Sequence, residues 1–309
     1  MKILITEFMD EAALPALRDG FDLHYEPDLV NRRAEMLERL MDARALIVRN
    51  RTQVNAELLA AAPNLRVVGR LGVGLDNIDV PACEARGIRV IPATGANALA
   101  VAEYVIASAM MLLRGAYHAQ AEMVAGKWPR ARLGEGRETA GKTLGLIGFG
   151  GIGRLTAKLA QSLGMKVIAH DPMLAADASV WSETGVQARS LDELLAEADA
   201  VSLHVPLTAA TRNLINPERL AQMKRGAVLI NTARGGIVDE AALAAALREQ
   251  RLGGAAIDVF TDEPLAASPA LSEVPNLILT PHIAGVTLES NERVSSLIAE
   301  RVAEALHSL

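Results

Sequence analysis

The sequence predicts an α/β fold built on parallel sheets, and three observations carry that reading. Short apolar runs recur along the whole chain, at residues 2–6, 45–48, 65–70, 89–91, 143–148, 166–170, 200–204, 227–231, 254–258 and 277–280. Between many of them lie stretches with helical spacing of apolar residues, as at 11–18, 55–62, 151–163 and 240–250. The strand-like runs are apolar throughout rather than alternating, which is how a strand reads when helices cover both faces of its sheet.

Helix starts are marked by chemistry. Ser190 with Glu193 forms a capping box, Asn216 precedes Pro217 at a first helical position, and Asp239 can cap the helix that begins at Glu240. Two βα series follow one another, with an apolar helix at 98–113 between them and an Arg- and Gly-rich irregular stretch at 128–141. The expected division is a first domain over 1–97 joined by 286–309, whose final helix returns to it, and a second domain over 98–285.

The 309 residues, 50% of them hydrophobic, suffice for about two domains with cores that need no disulfide or metal staple. Cys83 is the single cysteine, so neither an intramolecular disulfide nor a structural zinc cluster is expected. That suits a reducing cytoplasm, and Cys83 itself reads as a buried thiol in a short helix. The formal charge of −6 contains no run of Lys or Arg, so no nucleic-acid or membrane-surface partner is implied. No metal site is expected.

The chain opens without the pattern of a signal peptide, Ile3-Leu4-Ile5-Thr6 leading directly to Glu7 and Asp10. The 98–113 stretch is interrupted by Glu103 and falls short of the roughly 20 apolar residues that span a bilayer. A helix apolar nearly all round is expected to be buried on every side, as a connector or a subunit interface, with Glu103 a paired structural acid. A homodimer is the expected assembly.

The cofactor signal is a full βαβ unit. A strand ending at Ile147 runs into Gly148-Phe149-Gly150-Gly151-Ile152-Gly153, a helical pattern follows, and a second strand ends at His170 with Asp171 next. Gly148 permits a tight turn, Gly150 lets a pyrophosphate approach the backbone, and Gly153 lets the helix pack close. The pyrophosphate would lie on the free N–H groups at the helix start. Asp171 can accept hydrogen bonds from both ribose hydroxyls and would repel a 2′-phosphate, and Pro172 follows where an NADP enzyme often offers Arg. NAD is the expected cofactor.

Three ionisable residues follow strands of the second series, where ligands bind in open α/β sheets. They are Arg234 in Ala233-Arg234-Gly235-Gly236, Glu263 in Asp262-Glu263-Pro264, and His282 in Pro281-His282-Ile283-Ala284-Gly285. Hydride exchange with a 2-oxo acid needs a carboxylate fork, a positive field on the carbonyl oxygen and a proton donor. Arg supplies the first two, His the third, and a carboxylate beside the His fixes its ring.

These residues and their neighbours resemble the D-isomer-specific 2-hydroxyacid dehydrogenase family over nearly the whole length. The matching motifs include Leu203-His204-Val205-Pro206-Leu207-Thr208, Met223-Lys224-Arg225-Gly226-Ala227, Val238-Asp239-Glu240, Ala256-Ile257-Asp258-Val259-Phe260 and Thr280-Pro281-His282. The resemblance implies two doubly wound parallel-sheet domains, a Rossmann NAD-binding domain inserted in a flavodoxin-like substrate domain. It implies His282 as general acid/base, Glu263 as its partner and Arg234 as the residue that binds the carboxylate and polarises the carbonyl. Asp258 would hold the nicotinamide carboxamide, with Thr232, Ala233, Gly285 and the His204-Val205-Pro206 turn nearby. A homodimer with the long helix near its interface is also implied.

Substrate choice is less defined. Leu71-Gly72-Val73-Gly74 is a turn whose amides can form a carboxylate nest, which the family builds from the positions of Val73 and Gly74. Arg49-Asn50-Arg51-Thr52 is similar to the segment of phosphoglycerate dehydrogenases that receives the phosphate. Arg49 or Arg51 therefore either binds a second anion or is a solvated strand end, with both readings open. The chain ends soon after the last helix, so the regulatory domain of longer phosphoglycerate dehydrogenases is not expected. Ile283-Ala284-Gly285 after His282 resembles hydroxypyruvate reductases and sulfolactate dehydrogenases.

The expected substrates are thus 3-phosphoglycerate, glycerate/hydroxypyruvate or 3-sulfolactate. Formate dehydrogenases pair the catalytic His with Gln, where this chain has Glu263. The alternative from another class is an NAD-sensing corepressor-like protein without significant turnover. His24, His118 and His307 lack catalytic context and are expected to be structural or solvated, and His170 to flank the adenosine pocket.

Overall fold

The computed structural model describes residues 1–117, 119–267 and 269–309, so His118 lies outside the described residues. Contacts divide the chain into two compact units, Met1–Asn97 with Val286–Leu309, and Ala98–Gly285.

The first unit holds β1 (Lys2–Ile5), β2 (Asp22–Tyr25), β3 (Ala43–Val48), β4 (Val67–Arg70) and β5 (Arg89–Pro92). All pair in parallel in the order β2-β1-β3-β4-β5, the flavodoxin-like order. Successive side chains on β1 and β3 go to opposite faces. Ile3, Ile5, Ala45 and Ile47 pack with Ile298, Ala299 and Val302 of the helix Leu288–His307. Leu4, Leu46 and Val48 pack instead with Met36, Leu40, Leu58 and Cys83. Both faces are covered, which is why these strands read as continuous apolar runs. Burial of Cys83 pushes its thiol pKa up, consistent with an inert structural thiol.

The second unit holds β6 (Thr143–Ile147), β7 (Lys166–His170), β8 (Gln187–Ala188), β9 (Ala200–Leu203), β10 (Val228–Asn231), β11 (Gly254–Ile257) and β12 (Leu277–Leu279). Its sheet is parallel, in the order β12-β11-β10-β9-β6-β7-β8. The strand order reverses between β6 and β9, and a ligand binds at such a switch point beyond the carboxyl ends of the strands. The helix Ala98–Arg114 covers one face, packing Val101, Val105 and Leu112 with Leu144 and Leu146. Leu194, Leu243 and Leu247 cover the other, against Ile147, Val201 and Leu229.

Several expectations need correction. Within the single chain the Ala98–Arg114 helix is not buried on every side, since Leu99 is 40% and Met110 42% exposed, and only a subunit interface would cover that face. Glu103 is exposed, and the pairing expected of its carboxylate is not made among the described residues. The stretch 11–18 is split into a 3-10 turn, Glu11–Ala13, and a short α-helix, Pro15–Arg18, because Pro15 has no N–H to continue a ladder. No apolar run marks β2, because Asp22 and His24 interrupt its pattern at a sheet edge, and β8 is only two residues long.

The caps stand as read. Ser190 and Glu193 bond reciprocally, Asn216 accepts from the Arg219 N–H, and Asp239 accepts from the Ala242 N–H. No helix among the described residues is long and apolar enough to cross a membrane. No group of three or more His, Cys, Asp or Glu that could hold a metal occurs among them.

Candidate active site

The glycine-rich turn is tied to three strand ends. Gly148 has φ +95°, and a Cβ there would meet the His204 carbonyl oxygen at 2.5 Å, so only glycine fits. The Gly148 N–H donates to the His170 carbonyl at 2.8 Å, and the His204 N–H to the Ile147 carbonyl at 2.7 Å. Gly153 lies as close to the turn, its absent Cβ leaving room for the Gly148 carbonyl. At Gly150 and Gly151, by contrast, a Cβ would meet nothing within 4 Å.

That open side is where an anion can approach. The N–H groups of Gly150, Gly151 and Ile152 have no acceptor among the described residues, and they stand at the start of the helix Gly151–Ser162. Free N–H groups at the positive end of a helix dipole suit a pyrophosphate. Asp171 accepts the Phe149 N–H at 2.8 Å and the Met173 N–H at 3.0 Å, so its carboxylate both faces the turn and braces it. The buried Thr232 hydroxyl has no hydrogen-bond partner among the described residues, an orphan that a bound cofactor would relieve. The residues present therefore fit NAD.

His204 lies beside this turn, its Nε2 3.0 Å from the Ser202 hydroxyl. Burial of the ring holds its pKa down to about 4, although part of the residue's surface stays accessible. It is uncharged at neutral pH, so the pull on an anion comes from backbone amides and not from imidazolium. Val205 is half-buried and Pro206 exposed after it. Nδ1 of His170 lies 3.1 Å from the Arg189 carbonyl.

The three ionisable residues sit on loops that brace one another. The buried Asn231 donates to the Arg234 carbonyl at 3.0 Å and accepts the Ala233 N–H at 3.0 Å, which shapes the Arg234 loop. A Cβ on Gly235 would fall 1.7 Å from the Phe260 carbonyl oxygen, so this loop lies flat on the segment leaving β11. The Phe260 N–H donates to Glu263 Oε1 at 3.0 Å, and Glu263 Oε2 lies 2.7 Å from His282 Nδ1. A carboxylate can only accept, so Nδ1 carries the proton. Nε2 has no partner among the described residues and is available for proton exchange.

His282 has φ +56°, a left-handed conformation that a β-carbon disfavours, and the surroundings impose it. Its N–H donates to the Asp258 carbonyl at 2.7 Å. The Asp258 carboxylate, 1% exposed, accepts the Thr280 hydroxyl at 2.6 Å and the Ile283 and Ala284 N–H groups, each at 2.8 Å. The Tyr104 hydroxyl lies 2.6 Å from the Thr280 hydroxyl. Thr280 has one proton and gives it to Asp258, so Tyr104 must be the donor to Thr280. Asp258 thus first serves to clamp the His282 turn, a role its motif did not reveal. Three of its roughly four acceptor positions are used. Gly285 follows in the same turn, half-buried.

In the first unit, the N–H groups of Val73 and Gly74 have no acceptor among the described residues, as a nest requires. Arg49 and Arg51 part company. Arg49 is half-buried, its guanidinium 5.6 Å above the Phe8 ring and donating to Asn291 Oδ1 at 2.8 Å. Burial lowers its pKa, and the nearby Glu7 carboxylate offsets part of that. Arg51 is exposed and donates to Asn31 Oδ1. Phe8 and Asn291 had no motif to mark them. His24 lies 3.2 Å from the Asp22 carboxylate, and the His307 ring packs tilted against Phe21 with centroids 4.9 Å apart.

Known proteins resemble this chain over most or all of its length. The model of the D-isomer specific 2-hydroxyacid dehydrogenase NAD binding domain matches residues 106–284. The (S)-sulfolactate dehydrogenase of Chromohalobacter salexigens is 58% identical, over 98% of this chain and 98% of that protein. The D-3-phosphoglycerate dehydrogenase of Mycobacterium leprae is 40% identical over 98% of this chain, which spans only 56% of that protein. A crystal structure of a protein from Thermus thermophilus superposes with a TM-score of 0.90 at 37% identity, covering 100% of this chain and 97% of that one. The corepressor alternative finds no support in these relatives. The chain belongs to the D-isomer-specific 2-hydroxyacid dehydrogenases, NAD-dependent oxidoreductases that act on CH–OH groups.

Proposed function

We propose that the chain interconverts a D-configured 2-hydroxy acid and its 2-oxo acid, and that the substrate carries a second anion on carbon 3. The pair 3-sulfolactate/3-sulfopyruvate heads the candidates, ahead of 3-phosphoglycerate, and glycerate/hydroxypyruvate is the pair that lacks the second anion. The reaction rests on one observation above all, the 2.7 Å contact of His282 Nδ1 with Glu263 Oε2, which leaves Nε2 for the substrate oxygen.

NAD, when bound, supplies the hydride acceptor for oxidation and, reduced, the donor for reduction. Arg234 offers a bidentate fork and permanent charge for the substrate carboxylate and the carbonyl oxygen. His282 gives a proton to that oxygen in reduction and takes it back in oxidation, while Glu263 fixes the ring and its tautomer. Gly148, Gly150, Gly151, Ile152 and Gly153 form the pyrophosphate cradle, and Asp171 takes the ribose hydroxyls. His204, Val205, Pro206, Thr232, Ala233 and Gly285 border the cofactor, with Asp258 beside the carboxamide. We assign the Ala98–Gly285 unit to the cofactor and the other unit to the substrate, where the Val73 and Gly74 amides suit a carboxylate.

Similarity to the 58% identical (S)-sulfolactate dehydrogenase favours the sulfonate, and the stereochemistry is compatible with it. In lactate the carboxyl outranks the methyl, and the D form is (R). In sulfolactate the sulfur-bearing carbon outranks the carboxyl, so the same spatial arrangement is named (S). An (S)-sulfolactate dehydrogenase is therefore at home in a D-specific family. Arg49 is the candidate partner of the second anion, and Arg51, engaged with Asn31, is the weaker one.

The protein is proposed to act in the cytoplasm as a homodimer, the exposed Leu99 and Met110 of the long helix offering contact surface. Light scattering after gel filtration checks the assembly. The activity is tested by loss of NADH absorbance with sulfopyruvate, phosphohydroxypyruvate, hydroxypyruvate, glyoxylate and pyruvate. Preference for a doubly anionic acid is expected, and preference for hydroxypyruvate or glyoxylate would return Arg49 to a structural role.

A further inference from the structure

Glu7, at the carboxyl end of β1, is only 4% exposed, yet no motif singles it out. Its side chain accepts four successive backbone N–H groups. Oε1 takes those of Arg49 and Thr52, each at 2.9 Å, and Oε2 takes those of Asn50 at 3.3 Å and Arg51 at 3.0 Å. None of these four N–H groups has another acceptor among the described residues. The turn from Arg49 to Thr52 is therefore shaped by one carboxylate rather than by its own backbone. Thr6 and Asn77 secure its far end, through the Thr52 hydroxyl at 2.9 Å and the Thr52 carbonyl at 2.7 Å.

The consequence falls on the two arginines of the turn, which diverge from it towards different partners. The residue after Glu7 is Phe8, whose ring lies under the Arg49 guanidinium. Two adjacent residues thus set both the backbone that carries Arg49 and the surface on which its head group rests. Asn291 takes one guanidinium N–H, and the other side-chain donors of Arg49 have no partner among the described residues. The carboxylate also lies near enough to favour the charged form of Arg49 against the cost of its burial. A glutamine at position 7 would keep the shape but not the function. Its single oxygen could serve one pair of amides, while its NH2 would face the other pair donor to donor.

We propose that Glu7 is a positioning residue for substrate specificity, holding the 49–52 turn so that Arg49 is presented to the second anion of the substrate. This rests on the reading that Arg49 binds that anion, so the two are tested in sequence.

First, Arg49→Ala should raise KM for sulfopyruvate by at least about tenfold and change KM for hydroxypyruvate by less than about twofold. If that ratio does not move, the second-anion reading fails, and Glu7 has nothing to position. With that step passed, Glu7→Gln should raise KM for sulfopyruvate by about fivefold to tenfold, leaving kcat and the hydroxypyruvate KM within about twofold. Added to Arg49→Ala, it should produce no further loss of discrimination, because both act through the same guanidinium. NADH affinity and the thermal midpoint report whether the variant is folded. Should it not fold, Glu7→Asp reads the same ratio, since it keeps the charge but is too short to reach all four amides. Equal losses on both substrates, or additivity in the Arg49→Ala background, would make Glu7 a structural brace only and overturn the proposal.

Discussion

Glu263 holds His282 with one oxygen, at 2.7 Å from Nδ1, and the backbone leaving β11 with the other, at 3.0 Å from the Phe260 nitrogen. The carboxylate is thus anchored before it orients the imidazole, and the ring's Nε2 is left as its only free nitrogen. His282→Ala should lower kcat by on the order of 100-fold or more with NADH binding retained. Glu263→Gln should lower it by about tenfold to 100-fold, since an amide cannot accept on both sides. Steady-state rates beside NADH fluorescence titration check both, and turnover at the wild-type rate in His282→Ala would remove it as the acid/base.

Besides its proposed contact with the ribose, Asp171 braces the glycine-rich turn through the buried Phe149 N–H. Asp171→Ala should therefore weaken NAD binding, relax discrimination against NADP, and also destabilise the fold by roughly 1–3 kcal/mol through the unsatisfied amide. Paired measurements of cofactor KM and chemical denaturation separate the two effects. An unchanged NAD/NADP ratio would sink the ribose assignment even if stability fell.

Tyr104 reaches the His282 turn only through Thr280 and Asp258. Its hydroxyl feeds the Thr280–Asp258 hydrogen bond that clamps the left-handed His282 turn. Tyr104→Phe leaves the ring in place and removes one donor, so a loss of about 1 kcal/mol in stability and a fall of roughly threefold to tenfold in kcat are expected. KM for NADH should hold. A variant that loses stability without any change in kcat would show that the relay supports the fold but not His282.

What was legible in the sequence was local. The glycine-rich turn, the Asp171 after the next strand, and the loops of Arg234, Glu263 and His282 each lie within a few residues of an apolar run that announces its strand. What was not legible depends on contacts between distant positions. Tyr104 and Thr280 are 176 residues apart, and Arg49 and Asn291 are 242 apart. Arg49 and Arg51 look equivalent in the chain, and only Phe8, Asn291 and Asn31 distinguish them. The long helix misled for a related reason. Its alanines and methionines are apolar on every side, so hydropathy could not mark the face that carries the exposed Glu103.

His204 gives a pH dependence whose sign follows from its burial. The ring's pKa falls from 6.5 to about 4 in the folded chain, while the unfolded chain takes up its proton near 6.5. Between those values the unfolded state binds more protons, so stability rises with pH through this window and is lost as pH falls. The full difference is roughly 3 kcal/mol below the folded pKa, and about 2 kcal/mol of it should already be lost at about pH 5. Denaturant titrations of wild type and His204→Gln at about pH 7 and about pH 5 measure it. The wild type should lose more stability than the variant by about 2 kcal/mol. Equal losses would mean that the imidazole is solvated enough to protonate in place, and that His204 does bring positive charge to the glycine-rich turn in mild acid.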